Sequence, residues 1–198
     1  MSMSVPSDTF KWARAFSDTL VETGTYQGRG VQGALLAGFE HVYTCEISLP
    51  ILLGAKNNIG EWFGGVHYAH GSSSEMLPAM LRMSGKPSAV LLDAHVVPGN
   101  VLCEDAAKDA GTVCPLREEL MALQSASFHG HLVLIDDIDL AGTHHLAGIT
   151  LEEIVTSLLH INEGYRFRVL DGIRPRMLLA AAPPGWTPMV WPKHAHAI

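Results

Sequence analysis

The chain has 198 residues, 47% of them apolar and 17% charged, with a net charge of −7. That length buries a full core as one domain over 1–198, and the acidic balance excludes general electrostatic support for a nucleic-acid or anionic-membrane partner. Cys45, Cys103 and Cys114 are odd in number and unpatterned, which argues against a disulfide framework and for a reducing compartment. No run reaches the roughly 18–20 apolar residues of a membrane span. Met1-Ser-Met-Ser-Val-Pro6 lacks the basic and apolar regions of a signal peptide, so the expected location is the cytoplasm.

In chain order, strand-like and helix-like segments alternate, as a parallel sheet with crossover helices requires. The predicted strands are Thr19 to Glu22, His41 to Glu46, Gly65 to His70, Ala89 to Asp93, Leu132 to Asp136, Phe167 to Leu170 and Met177 to Ala181. Helices are predicted at Phe10 to Ser17, Val31 to Ala37, Leu49 to Asn58, Ser74 to Met83, Pro115 to Ser125 and Leu151 to Asn162. Thr150, followed by Glu153, has the spacing of a capping box for the last of these. The final two strands flank Asp171-Gly172 and Arg174-Pro175, a compact turn suited to an antiparallel edge hairpin. The expectation is an α/β, Rossmann-like three-layer sandwich with a seven-stranded, mostly parallel sheet. Val96 to Val113 and the Pro-, Trp- and His-containing tail 183–198 receive no element.

The most informative stretch is Leu20-Val-Glu-Thr-Gly-Thr-Tyr-Gln-Gly-Arg-Gly-Val31, in which an apolar run ends in Glu22 and three glycines precede a helix. Glycine lets backbone pass close to a ligand and take positive φ, and helix-opening amides form a weakly positive end. Glu46 follows the second strand, where a ribose-binding carboxylate falls in a βαβ unit. Together they indicate an adenosine-containing ligand; a plain turn with a solvated Glu46 is the alternative. Open α/β sheets bind ligands at the carboxyl ends of their strands. There the third strand leads to Gly71-Ser-Ser-Ser-Glu75, the fourth to Asp93-Ala-His95 and the fifth to Asp136-Asp137. Asp93, Asp136 and Asp137 would converge from neighbouring strands, a hard-oxygen set suited to magnesium, manganese or calcium. In the alternative, Asp137 caps the next turn and Asp93 is solvated.

These residues carry a resemblance. Glu22-Thr-Gly-Thr-Tyr-Gln-Gly28 with Glu46, Gly71-Ser-Ser-Ser-Glu-Met-Leu-Pro78, Leu92-Asp-Ala-His95 and Leu134-Ile-Asp-Asp137 resemble class I S-adenosylmethionine-dependent methyltransferases, in particular the metal-dependent small-molecule O-methyltransferases of catechol and macrolide-sugar type. The resemblance implies S-adenosylmethionine bound by Glu22, Gly24, Tyr26, Gly28, Glu46, Ser72, Ser73 and Asp93, with Ser72 and Ser73 beside adenine. It also implies Mg2+ or another divalent cation on Asp93, Asp136 and Asp137, binding the hydroxyl of a small-molecule acceptor. The catechol-type pattern has a catalytic lysine three positions beyond the first aspartate, where this chain has Val96. His95 takes that place as the nearest base, with a pKa suited to neutral pH, and Asp93 accompanies it as a catalytic residue.

Other aromatic and basic residues draw plainer readings. His144-His145 is read as a solvent-exposed turn, with a substrate-facing or metal-ligating role as the alternative, and His194 and His196 receive no site role. Tyr26 and Trp62 could stack on a ligand, although core or rim packing is commoner for such aromatics. A terminal sheet edge and the tail tryptophans Trp186 and Trp191 could serve a homodimer. Two other functions stay open: a non-catalytic cofactor-binding or scaffold protein on the same fold, and an NAD-dependent dehydrogenase.

Overall fold

The structure is a computed structural model and describes residues 5–60, 65–186 and 191–198. Chain order is α1 (Ser7–Phe16), β1 (Thr19–Thr23), α2 (Arg29–Leu36), β2 (His41–Glu46), α3 (Leu49–Ile59), β3 (Val66–His70), α4 (Ser73–Ser84) and β4 (Ala89–Leu92). Then follow α5 (Val101–Ala110), α6 (Leu116–Gln124), β5 (Leu132–Ile135), two 3-10 turns (Ile138–Leu140 and His144–Leu146), α7 (Leu151–Ile161), β6 (Arg166–Leu170), β7 (Leu178–Ala182) and β8 (Ala195–His196). The sheet order is β3-β2-β1-β4-β5-β7-β6-β8. β3 through β5 pair in parallel, and β7, β6 and β8 join antiparallel. None of the helices is long and apolar enough to cross a membrane among the described residues.

Strand alternation sorts the apolar side chains onto the two sheet faces. Val21, Val90, Leu92, Val133 and Ile135 pack toward Leu77, Met80, Leu120, Leu123, Ile154 and Leu158 of α4, α6 and α7. Leu20, Val42, Leu91, Leu132 and Leu134 face Phe10, Ala13, Val31 and Ala34 of α1 and α2. The central strands therefore read as continuous apolar runs, because both faces are covered. Helix α7 starts where its capping box predicts: Thr150 Oγ1 accepts from the Glu153 amide, and the Glu153 carboxylate accepts from the Thr150 amide at 2.8 Å.

Two findings correct the sequence reading. The sheet has eight strands because the tail returns to it: Ala195 and His196 pair with Leu170 and Val169. Trp186 and Trp191 pack on Trp12 with ring centroids 4.9 and 5.3 Å apart, and Arg168 lies over the Trp191 ring. These tryptophans are partly buried within the chain, against α1. The second finding is α5, inside the stretch 96–113. Not one of its residues is fully buried, so it lacks the apolar stripe that periodicity detects. It is fixed at its start by Asn100, whose side chain accepts from the Leu102 and Cys103 amides.

Candidate functional site

The carboxyl ends of β1 to β5, together with α5 and the β6–β7 hairpin, surround a cavity of about 290 Å³. Its lining includes Gly24, Tyr26, Glu46, Ser72, Ser73, Asp93, His95, Asp136 and Asp137, which are most of the residues the sequence singles out. Arg174, Ile173 and Met177 reach it from the hairpin. Trp62 lies outside the described residues.

One end is built by backbone. Leaving β1, the chain turns at Gly24 (φ +79), where a Cβ would stand 2.5 Å from the Asp93 carbonyl oxygen at the end of β4. Glycine is therefore required by both space and conformation. Tyr26 also has positive φ (44), which turns its amide onto Glu46 Oε2 at 2.9 Å. The Ser48 amide donates to the other oxygen, Oε1, at 3.0 Å. Each oxygen of Glu46 keeps a further lone pair for a ligand hydroxyl. Ser72 precedes the first turn of α4 and Ser73 opens it, beside Gly71, whose amide donates to the Glu46 carbonyl.

Glu22 and Gly28 belong to the same turn but do not line the cavity. Glu22 is 1% exposed, under the start of α2, where a Cβ at Gly30 would collide with its Oε1. Its Oε2 accepts from Thr44 Oγ1 at 2.7 Å, and burial pushes its pKa up to about 8. Gly28 (φ +81) backs onto Ile59 of α3. Both shape the turn from beneath.

The other end is built by side chains. Asp137 sits in the left-handed region (φ 56, ψ 25) after β5, uncommon for non-glycine residues but one that aspartate adopts more readily than most. This turns its carboxylate toward three partners. Oδ2 lies 3.0 Å from His95 Nε2 and 2.9 Å from His145 Nε2, and Oδ1 accepts from Arg174 Nη2 at 2.5 Å. Arg174 also grips Asp139 through Nε and Nη2 at 2.7 and 3.0 Å, a fork matched to a carboxylate. Burial raises the Asp137 pKa, but His95, Arg174 and the His145 hydrogen bond outweigh it and the net shift is downward. His95 is shifted down, chiefly by burial and against the pull of Asp137, so its neutral form is favoured. Asp93 is shifted well up by burial and by neighbouring Asp136. Its Oδ1 is 3.5 Å from His95 Nδ1.

The metal expectation is corrected in its donors. Asp93, Asp136 and Asp137 all line the cavity, but the ligand atoms that converge among the described residues belong to His95, Asp137 and His145. Asp136 is turned aside, its Oδ1 accepting from the Asp137 amide at 2.8 Å. Among the described residues the three aspartates do not form a converging donor group, so the arrangement lends no support to an all-oxygen magnesium set. His145 also corrects the exposed-turn reading of its segment: His144 is exposed, whereas His145 faces Asp137. Sequence reasoning missed Arg174, because only the hairpin carries it to Asp137, and it missed the cavity-lining Cys103, Ala107 and Ala110 of α5.

No family model matches the sequence, and no curated protein matches it. Solved structures do match the fold. A candidate caffeoyl-CoA O-methyltransferase from Staphylococcus aureus superposes with a TM-score of 0.53 at 15% identity, covering 89% of this chain and 82% of that one. An O-methyltransferase from Bacillus cereus in complex with SAH gives 0.51 at 13% identity, with 90% and 82% covered. The MycE methyltransferase of the mycinamycin biosynthetic pathway, in complex with Mg, SAH and mycinamycin VI, gives 0.53 at 16% identity, over 87% of this chain and 48% of that one. By strand order, crossover pattern and these superpositions, the chain has the fold of the class I S-adenosylmethionine-dependent O-methyltransferases.

Proposed function

We propose that the protein is an S-adenosylmethionine-dependent methyltransferase acting on the hydroxyl of a small molecule. The observation that carries this reading is Glu46, a carboxylate held by two backbone amides at one end of a cavity whose other end holds His95 and Asp137. The two-amide clamp orients both carboxylate oxygens, an arrangement suited to a ribose diol. SAH in the B. cereus structure and in MycE supports the same cofactor.

When bound, S-adenosylmethionine supplies a methyl group on a positively charged sulfur. The chain must hold the acceptor oxygen in line and take its proton. His95 Nε2 lies 3.0 Å from Asp137 Oδ2; with the ring proton on that nitrogen, Nδ1, on the Asp93 side, is left as the proton acceptor. Asp137 is in turn fixed by Arg174, so the imidazole is oriented by a carboxylate that is itself oriented. Val96, Val97, Cys103, Ala107, Val113 and Ile173 form an apolar wall of the cavity against which the body of an acceptor would lie. Metal assistance by magnesium on Asp93, Asp136 and Asp137 is not carried into this reading, since those three do not converge.

A thermal-shift comparison of S-adenosylhomocysteine with NAD, each with and without magnesium, tests the assignment. S-Adenosylhomocysteine should raise the melting temperature and NAD should not. Stabilisation by NAD alone would make the protein a dinucleotide enzyme, and S-adenosylhomocysteine binding without methyl transfer to any of a panel of phenols and glycosides would favour a cofactor-binding scaffold.

A further inference from the structure

We infer that His95, Asp137 and His145 form a binding site for one transition-metal dication, of the zinc, cobalt, nickel or iron(II) class. The argument begins with spacing. Two ligands at roughly 2.0–2.2 Å from one ion stand about 2.8–3.6 Å apart when their bonds meet at 90° to 110°. Asp137 Oδ2 lies 3.0 Å from His95 Nε2 and 2.9 Å from His145 Nε2, and the three donors lie mutually within 4.8 Å. Beyond loss of the Nε2 ring protons, the site needs a small shift of the two rings and the carboxylate so that all three donors aim at one point. In the ion-free protein each Nε2 lies within hydrogen-bonding distance of Oδ2. A metal on Nε2 requires that nitrogen to be free of its ring proton, so the proton of a ligating neutral imidazole sits on Nδ1.

The surroundings match what a metal histidine needs. A ligating imidazole is held by a partner at its other nitrogen, commonly a carboxylate, and Asp93 Oδ1 stands 3.5 Å from His95 Nδ1. The carboxylate ligand is steadied in the same way, since Arg174 takes Oδ1 and leaves Oδ2 for the ion. Asp139 shares that guanidinium, which limits its repulsion of a cation. Two nitrogens and one oxygen select imidazole-loving first-row ions over magnesium, which prefers an oxygen shell. Three protein ligands leave open positions, and because His95 and Asp137 line the cavity these face the space for an acceptor. An ion on Nε2 also places the ring proton on Nδ1 and removes the lone pair that would accept a proton. The ion-loaded and ion-free forms therefore activate an acceptor differently.

The test is equilibrium dialysis of the full chain against Zn2+, with metal counted by mass spectrometry, and titration with Co2+ followed by its visible ligand-field bands. Neither measurement uses cofactor or methyl transfer, so failure here leaves the methyltransferase reading untouched. One equivalent of Zn2+ should remain bound in excess Mg2+. His95→Ala and His145→Ala should each weaken it roughly 100-fold, and His144→Ala, which changes the exposed neighbour, should not. Circular dichroism checks folding, and His145, on a short 3-10 turn outside the sheet, keeps the test decisive even if the His95 variant unfolds. No retained zinc, or equal retention by His145→Ala, would overturn the site. So would loss of binding in Asp136→Asn with retention in His145→Ala, which would put the ion on the carboxylates instead.

Discussion

The two ends of the cavity are held by different forces. Around Glu46 the work is done by main chain: the Tyr26 and Ser48 amides on its oxygens, and Gly24 pressed against the Asp93 carbonyl. Around Asp137 it is done by side chains from four places, namely the ends of β4 and β5, the second 3-10 turn and the β6–β7 hairpin. Main-chain geometry near a sheet is stiff, and its groups do not titrate. Side-chain clusters titrate, exchange partners and take up ions. A site with one end of each kind keeps the constant ligand on the stiff end and leaves the adjustable end to the variable one.

The largest expected effect lies at the adjustable end. His95→Asn should lower the methyl-transfer rate by about 10² to 10⁴, the usual span for losing a general base, while calorimetric affinity for S-adenosylhomocysteine stays within a few fold. If affinity falls along with rate, the two ends are not separable and the contrast between them fails. A rate within a few fold of the parent across pH would remove His95 from the chemistry.

Next comes the pH dependence of stability under the stiff end. Glu22 has a folded pKa raised from its ordinary 4.5 to about 8 by burial. Between those values the folded chain keeps a proton that the unfolded chain loses, so stability falls as pH rises through that window. Glu22→Gln should flatten the decline between pH 5 and 8, by on the order of 3 kcal/mol. A residual slope should persist from Glu119, raised to about 7 by burial, and from Asp93. Urea unfolding of parent and variant at both pH values measures this, and parallel slopes would show that Glu22 ionises freely in the fold.

The third effect sharpens the stiff end directly. Glu46→Ala should weaken cofactor binding by about 1.5–3 kcal/mol, the range for hydrogen bonds to a charged group, and leave the His95 cluster's Zn2+ affinity unchanged. Unaltered cofactor affinity in a folded variant would take Glu46 out of the site.

The same division explains what the sequence made legible. Glycine next to a strand end, an acid one strand later and apolar runs with period two or none are local signals, and they located the sheet, Gly24, Tyr26, Glu46 and Ser72. The Asp137 cluster depends on distant partners. His145 lies 8 residues away and Arg174 lies 37 away, so only the folded hairpin and turn show that they meet. Reading the three aspartates as one ligand set assumed that Asp136 and Asp137 point together, whereas the left-handed turn at Asp137 separates them. The tail misled for a related reason. Two residues of β8 and a tryptophan stacked on Trp12 have no period to detect.

The smallest expected effect concerns α5, the cavity wall that periodicity also missed. Its residues are all at least partly exposed, and Val101 and Leu102 are largely so, leaving little burial energy to hold it. Its start rests on Asn100, which satisfies two amides that would otherwise lack partners. Asn100→Ala should cost about 1 kcal/mol, and since α5 has no buried residue that cost should fall on local opening more than on global unfolding. Hydrogen exchange should therefore quicken roughly fivefold for amides of 101–110 and stay unchanged in β1, β4 and β5. Because Cys103, Ala107 and Ala110 line the cavity, the same variant should raise KM for an acceptor. Faster exchange across the central strands would mean that α5 is coupled to the core after all, and that the adjustable end of the cavity is stiffer than its exposure implies.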